Sequence, residues 1–188
     1  MERISPKIDL YRYEQQNARK FGVRLKYFFF TPGYTFTWFF RRASNVRTVF
    51  GKILFYPFFH LTKIITGIQI PIGTEIGRGL KISHFGTIIV NPRAKIGYNF
   101  SISPGCLVGN SKGKNIGYPT IGNNVVMGVN SMIVGKVNIG NNVLIAPGAF
   151  VNFDIPDNCI ALGNPAKIIQ KEESPTAKYI DPAPGTTL

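Results

Sequence analysis

The 188-residue chain has few side chains able to move a proton near neutral pH, and only two are histidines, His60 and His84. An unperturbed imidazole titrates at about 6.5, so either could serve as general base or acid. His60 lies in the aromatic run FFHLTK, which fits a packing or surface residue. His84 stands two residues after Ile82 in ISH. On its neighbours alone it is a hydrogen-bonding corner residue or a base. Cys106 and Cys159 are too few for a disulfide framework and match no zinc spacing. No metal is therefore expected, and a reducing compartment fits. The Gly-Lys pairs within 109–115 carry no P-loop pattern.

These residues must be held by something, and a repeat supplies it. Ile70, Ile76, Ile82 and Ile88 are six apart; the phase slips by two near Ala94, and Ile96, Ile102 and Val108 resume it. After a break, Ile121, Met127, Ile133, Ile139, Ile145 and Val151 continue the beat. A second set falls four after these markers: Val125, Ser131, Val137, Val143, Ala149 and Ile155. A period of six fits neither a helix nor a hairpin meander. It fits a solenoid of very short strands, with Asn and Gly at corners that need positive φ or side-chain hydrogen bonds.

The pattern resembles the hexapeptide-repeat acyltransferases, and most closely their serine O-acetyltransferase-like branch. It covers residues 68–170. The segment from Gly67 to Leu80 is similar to that branch's first coil, and NCIALGNPAKIIQK is similar to its closing motif. The resemblance implies a left-handed parallel β-helix, a homotrimer and acetyl-CoA as co-substrate. It implies His84 as the base that deprotonates an acceptor hydroxyl while the oxygen attacks a thioester. Gly109, Gly128, Val129, Ser131, Pro147 and Gly148 then fall along the acetyl-CoA groove. Lys167 and Lys171 fall where the closing motif supplies charges for the nucleotide phosphates. The chain also departs from the branch. Ser83 stands where an Asp precedes the base, and Tyr118 replaces a second His. Asp9 is the nearest candidate for a substrate-holding carboxylate. These departures resemble relatives that acetylate sugars of capsular polysaccharide, exopolysaccharide or O-antigen. The expected function is sugar O-acetylation. The alternatives are serine O-acetyltransfer for cysteine biosynthesis and a non-catalytic trimeric scaffold.

The formal charge is +13, and residues 1–63 hold twelve Lys/Arg against Glu2, Asp9 and Glu14. The same stretch holds seventeen of the 24 aromatic residues. Residues 1–66 read as a helical aromatic and basic region, with a helix over 7–30 and one or two more over 34–66, interrupted at Gly51 and Pro57. They form a cap on the first coils or a peripheral membrane-surface element. Residues 67–171 read as the β-helix, with an extruded loop at 110–119, and residues 172–188 as a loose tail. No nucleic-acid module accompanies the charge, so no nucleic-acid partner is expected. Residues 1–10 lack an apolar signal core, so a cytoplasmic protein is expected, peripheral to the membrane if the helices bind it.

Overall fold

The computed structural model describes residues 3–113 and 115–188. Helix α1 (Pro6–Glu14) starts at Ser5, whose Oγ accepts from the Lys7 N–H, with Pro6 in the first turn, where a missing N–H costs no helix bond. A 3-10 turn follows, then α2 (Phe21–Phe30), α3 (Pro32–Asn45) and α4 (Val49–Thr66). The single helix expected over 7–30 is thus broken, at Gln15, which has φ of +46°. The later break falls at residues 46–48 rather than at Gly51 or Pro57; both lie inside α4. The helix ends at Gly67, whose left-handed conformation lets its N–H reach the Lys63 carbonyl at 3.0 Å.

From Ile68 the chain winds as a left-handed parallel β-helix with three faces. The first face holds β1 (Ile68–Gln69), β4 (Ile88–Val90), β7 (Leu107–Gly109), β10 (Met132–Val134) and β13 (Phe150–Val151). The second holds β2 (Glu75–Ile76), β5 (Lys95–Ile96), β8 (Thr120–Ile121) and β11 (Asn138–Ile139). The third holds β3 (Lys81–Ile82), β6 (Ser101–Ile102), β9 (Val126–Met127), β12 (Leu144–Ile145) and β14 (Cys159–Leu162). The antiparallel β15 (Lys167–Gln170) closes that face.

Register explains the repeat. Ile82 pairs with Ile102, Ile102 with Met127 and Met127 with Ile145, all buried in one aliphatic stack. The second set, from Val125 to Ile155, is buried beside it. Each such side chain contributes about 1.5–3 kcal/mol on burial. The phase slip also has a place. Ile68 pairs with Ile88, and Ile76 with Ile96, so the side leading from first to second face is two residues longer in the first two coils. The 110–119 loop leaves from that same corner one coil later. At another corner Asn99, Asn124, Asn142 and Asn158 all have φ near +56°. The first three each donate from Nδ2 to the next one's Oδ1 at 2.9 Å.

The tail is a correction to the sequence expectation. Residues 172–188 fold back along the third face, burying Thr176, Ile180 and Ala183. The Asn99 amide holds them: its Oδ1 accepts from the Ala183 N–H at 3.0 Å, and its Nδ2 donates to Thr186 Oγ1 at 2.9 Å. Gln15 Nε2 donates to Asp181 at 2.8 Å. The apolar residues 180 and 183 cover the first coils, which is why this stretch does not run free.

Candidate functional site

Strand β3 leads directly into Ser83, His84 and Phe85, all exposed, at the corner between third and first faces. The polypeptide just before that corner is clamped. The Tyr13 hydroxyl donates to the Ile82 carbonyl at 3.0 Å and accepts from the Ile82 N–H at 2.9 Å. Burial raises the Tyr13 pKa, with the Ile82 hydrogen bond opposing, so the phenol stays neutral. From the other side α3 presses on the same residue. A Cβ on Gly33 would lie 2.2 Å from the Ile82 carbonyl oxygen. Only glycine lets the helix sit there.

The clamp belongs to a buried polar dock made by one face of α1. Asp9, Arg12 and Tyr13 fall three and four apart and so share that face. Asp9 is fully buried. It accepts from Arg41 Nε at 2.8 Å and from the Gly79 and Leu80 N–H groups at 2.8 and 3.0 Å. Arg41 also donates to the Ile76 and Gly77 carbonyls. Arg12 donates to the Gly79 carbonyl at 2.6 Å and Ser101 Oγ at 2.7 Å. Burial brings its pKa down to about 10. The structure thus spends both Asp9 oxygens inside the protein, on the strut that fixes α1 to the first coil. That removes the physical basis for Asp9 as a substrate ligand.

A cleft of about 440 Å³ runs up the third face from this corner. Its floor is the outward row Lys81, Ser101, Val126 and Leu144, which are successive strand partners. Its edge is one small residue per coil, Ser83, Ser103, Gly128 and Ala146, with Val129 and Pro147 beside them. The floor is polar next to His84 and apolar farther up. A Cβ on Gly128 would lie 2.7 Å from the Pro147 N, so this glycine lets the coils stack closely. Tyr179, from the folded-back tail, lines the cleft. It also lines a neighbouring cavity of about 330 Å³ that holds Lys171 and Lys178 together with Glu172 and Glu173. Lys178 carries no sequence signal of its own, because its stretch reads as a loose tail. Burial, then the Arg12 charge, lowers the Lys81 pKa.

The other expected residues are scattered. Gly148 is the open corner residue after Pro147, and its N–H donates to the Val129 carbonyl. Ser131 does not face the cleft. Its side chain is fully buried, 3.5 Å from Cys106 Sγ, and it belongs to the second inward set. Gly109 ends β7 on the first face, away from the cleft. Lys167 is exposed on β15. The Gly105 N–H, at the corner after β6, is bonded to the Thr87 carbonyl at 2.6 Å and is not free to donate to an oxyanion. Tyr118 stands at the corner between first and second faces. Arg93 stacks on its ring at 5.3 Å and donates to its hydroxyl at 3.0 Å. His84 and Tyr118 therefore occupy different corners of one chain's prism, flanking the first face.

No family model matches the chain. It is 34% identical over 114 residues to a serine acetyltransferase of Synechococcus elongatus, covering 60% of this chain and 46% of that protein. It is 37% identical over 115 residues to a serine acetyltransferase of Helicobacter pylori, covering 60% and 66%. These matches span about half to two thirds of the relatives' length. It is 32% identical over 126 residues to the putative colanic acid biosynthesis acetyltransferase WcaB of Escherichia coli K12, covering 65% and 78%. Among solved structures, the Neisseria gonorrhoeae serine acetyltransferase in complex with serine superposes with a TM-score of 0.71 at 27% identity, covering 87% of this chain and 67% of that one. A serine acetyltransferase of Brucella abortus has a TM-score of 0.70 at 22% identity, covering 90% and 68%, a likeness of fold.

Proposed function

This chain belongs to the hexapeptide-repeat acetyltransferases, in their serine O-acetyltransferase-like branch, and we propose that it transfers an acetyl group from acetyl-CoA to a sugar hydroxyl of a surface polysaccharide or its precursor. One observation carries the transfer itself: the cleft of small residues, one per coil, that ends at Ser83 beside the exposed His84 corner. A narrow, small-residue edge fits the extended arm of a thioester co-substrate. Lys171 and Lys178, in the adjoining cavity, fit its phosphates as point charges.

His84 acts as general base. Its imidazole takes the proton of the acceptor hydroxyl while the oxygen attacks the thioester carbonyl. The tetrahedral adduct collapses, the C–S bond breaks, and the imidazolium returns the proton to the departing sulfur. An O-acetyl sugar and free CoA leave, and His84 is neutral again. No covalent bond to the protein forms.

The acceptor reading rests on charge. A free amino acid brings an ammonium group that wants a carboxylate. At this end of the cleft stand Lys81, Ser83 and Ser101, while Asp9 is committed to Arg41. Asp181, the acid that acts on Lys81 and Arg12, lines a different cavity, with Tyr13, Glu14 and Gln15, and not this cleft. Such a site favours a neutral or anionic hydroxyl compound. The name of the Escherichia coli relative supports a glycan acceptor. A second reading is free serine, which is favoured by the names of the relatives at 34% and 37% identity.

A homotrimer completes the proposal. The first face carries an adjacent apolar row, with Ile89 and Met132 exposed and Leu107 and Phe150 half-buried, suited to burial between subunits. Packing there would bring the His84 corner of one chain toward the Tyr118 corner of the next. We place the protein on the cytoplasmic side, where acetyl-CoA is available. The test is thiol release from acetyl-CoA with a panel of nucleotide sugars and oligosaccharides against L-serine. Turnover on a sugar alone supports the proposal. Efficient turnover on L-serine overturns the acceptor reading.

A further inference from the structure

The helical third leaves a long apolar face uncovered. On α4, Phe50, Ile53, Phe58, Leu61 and Ile64 recur at helical spacing, and Phe50, Ile53 and Ile64 are 77%, 69% and 80% exposed. The opposite side of α4, with Gly51, Phe59, Thr62 and Thr66, is the one buried against the rest of the protein. Helix α2 extends the uncovered face with Phe21, Phe29 and Phe30, at 76%, 66% and 81% exposure. Ring contacts join the two helices: Phe29 on Phe28 at 5.2 Å, Phe28 on Phe39 at 5.8 Å, Phe39 on Phe58 at 5.9 Å. A monomeric soluble protein rarely leaves so continuous an apolar surface without a partner.

Charge selects the partner. Residues 15–74 contain nine Lys/Arg and no Asp or Glu. Arg41 is buried on Asp9, whereas Lys20, Lys26 and Lys52 are exposed. Beside α2 lies a groove of about 390 Å³ that combines Phe21, Phe28 and Trp38 with Lys7, Arg24 and Arg42, and no acid lines it. Two copies of this face would oppose like charges. A layer of apolar chains under anionic headgroups matches both halves of the pattern. Among the described residues no helix is long and apolar enough to cross a membrane, so the match is to lying on it.

We propose that α2 and α4 seat this protein on the surface of an anionic phospholipid bilayer, with the Lys7, Arg24 and Arg42 groove taking a headgroup phosphate. The proposal goes beyond the acetyl transfer and does not depend on the identity of its acceptor.

The full chain is mixed with vesicles of phosphatidylcholine alone or with phosphatidylglycerol added, and sedimented. It is expected to sediment with the anionic vesicles only, and to release as salt is raised. Trp38 is the chain's single tryptophan, so quenching by bromine-labelled acyl chains reads the contact without any variant. Ile53→Glu with Ile64→Glu is expected to abolish sedimentation and quenching at unchanged oligomer mass. Wild-type protein that stays in the supernatant with anionic vesicles would overturn the proposal. So would a double variant that still binds, or one whose mass falls, since the face would then join copies of this chain.

Discussion

The hydroxyl of Tyr13 satisfies both backbone groups of Ile82, donating to the carbonyl at 3.0 Å and accepting from the N–H at 2.9 Å. Ile82 is the last residue of the strand that delivers Ser83 and His84 to their corner. A helix 69 positions away in sequence thereby sets where the base begins. Tyr13→Phe leaves a carbonyl and an N–H without their partner, at a cost of about 1–3 kcal/mol. The melting temperature is expected to fall. Turnover should fall further than acetyl-CoA affinity, since the cleft above the first coil is untouched. Calorimetric binding beside steady-state rates separates the two. Equal losses in both would show that Tyr13 serves only the fold.

Asp9→Asn asks whether this carboxylate is strut or ligand. Removing its charge leaves Arg41 buried without its counter-charge, a loss on the order of 3–5 kcal/mol for a buried pair. Thermal unfolding should show most of that loss, while the acceptor KM of protein that remains folded stays near wild type. A large KM increase at little cost in stability would restore Asp9 to the binding site.

Lys81 gives a pH signature. Its folded pKa lies below the ordinary 10.5, because of burial and then Arg12. Between those two values the unfolded chain holds more proton, so stability rises with pH across that window. Below the folded pKa the charged lysine carries its full penalty. Lys81→Met is therefore expected to melt above wild type near neutral pH, with the gap closing as pH approaches 10.5. Melting curves across that range check it. A gap that widens with pH would contradict the assignment.

The asparagine stack can be split into its two parts. Asn124 has φ of +56° and both accepts from Asn99 and donates to Asn142. Asn124→Gly keeps the backbone conformation and loses the ladder, while Asn124→Ala loses both. The alanine variant is expected to be less stable than the glycine variant by about 1 kcal/mol, the cost of a left-handed non-glycine residue. Denaturant midpoints would show the order, and a reversed order would contradict it.

The solenoid was legible because a period of six has no other common meaning, and the inward rows of the structure are the rows counted in the sequence. The repeat even held the signal that Ser131, which the family resemblance places in the groove, points inward. It falls four after Met127, in the same set as Val125 and Val137, and that set is buried. The dock was not legible. Asp9, Arg12 and Tyr13 meet Arg41, Gly79, Ser101 and Ile82 across long sequence separations, and buried polar pairing leaves no periodic trace. The tail failed for a similar reason. Its few apolar residues, Ile180 and Ala183, are too sparse to show a period, and they are held in place by hydrogen bonds with distant Asn99 and Gln15. The exposed aromatic and aliphatic face of α2 and α4 lay between the two sequence expectations. One side of α4 caps the first coils and the other remains uncovered.

His84, the base at the end of the cleft, is the residue on which acetyl transfer depends most directly. The direct measurement is acetyl transfer by wild type and His84→Ala, each with its acetyl-CoA affinity and its oligomer mass. His84→Ala is expected to lose roughly 10²–10⁴ in kcat, the contribution typical of a positioned base, at unchanged affinity and mass. Full activity in His84→Ala at the same mass would contradict it.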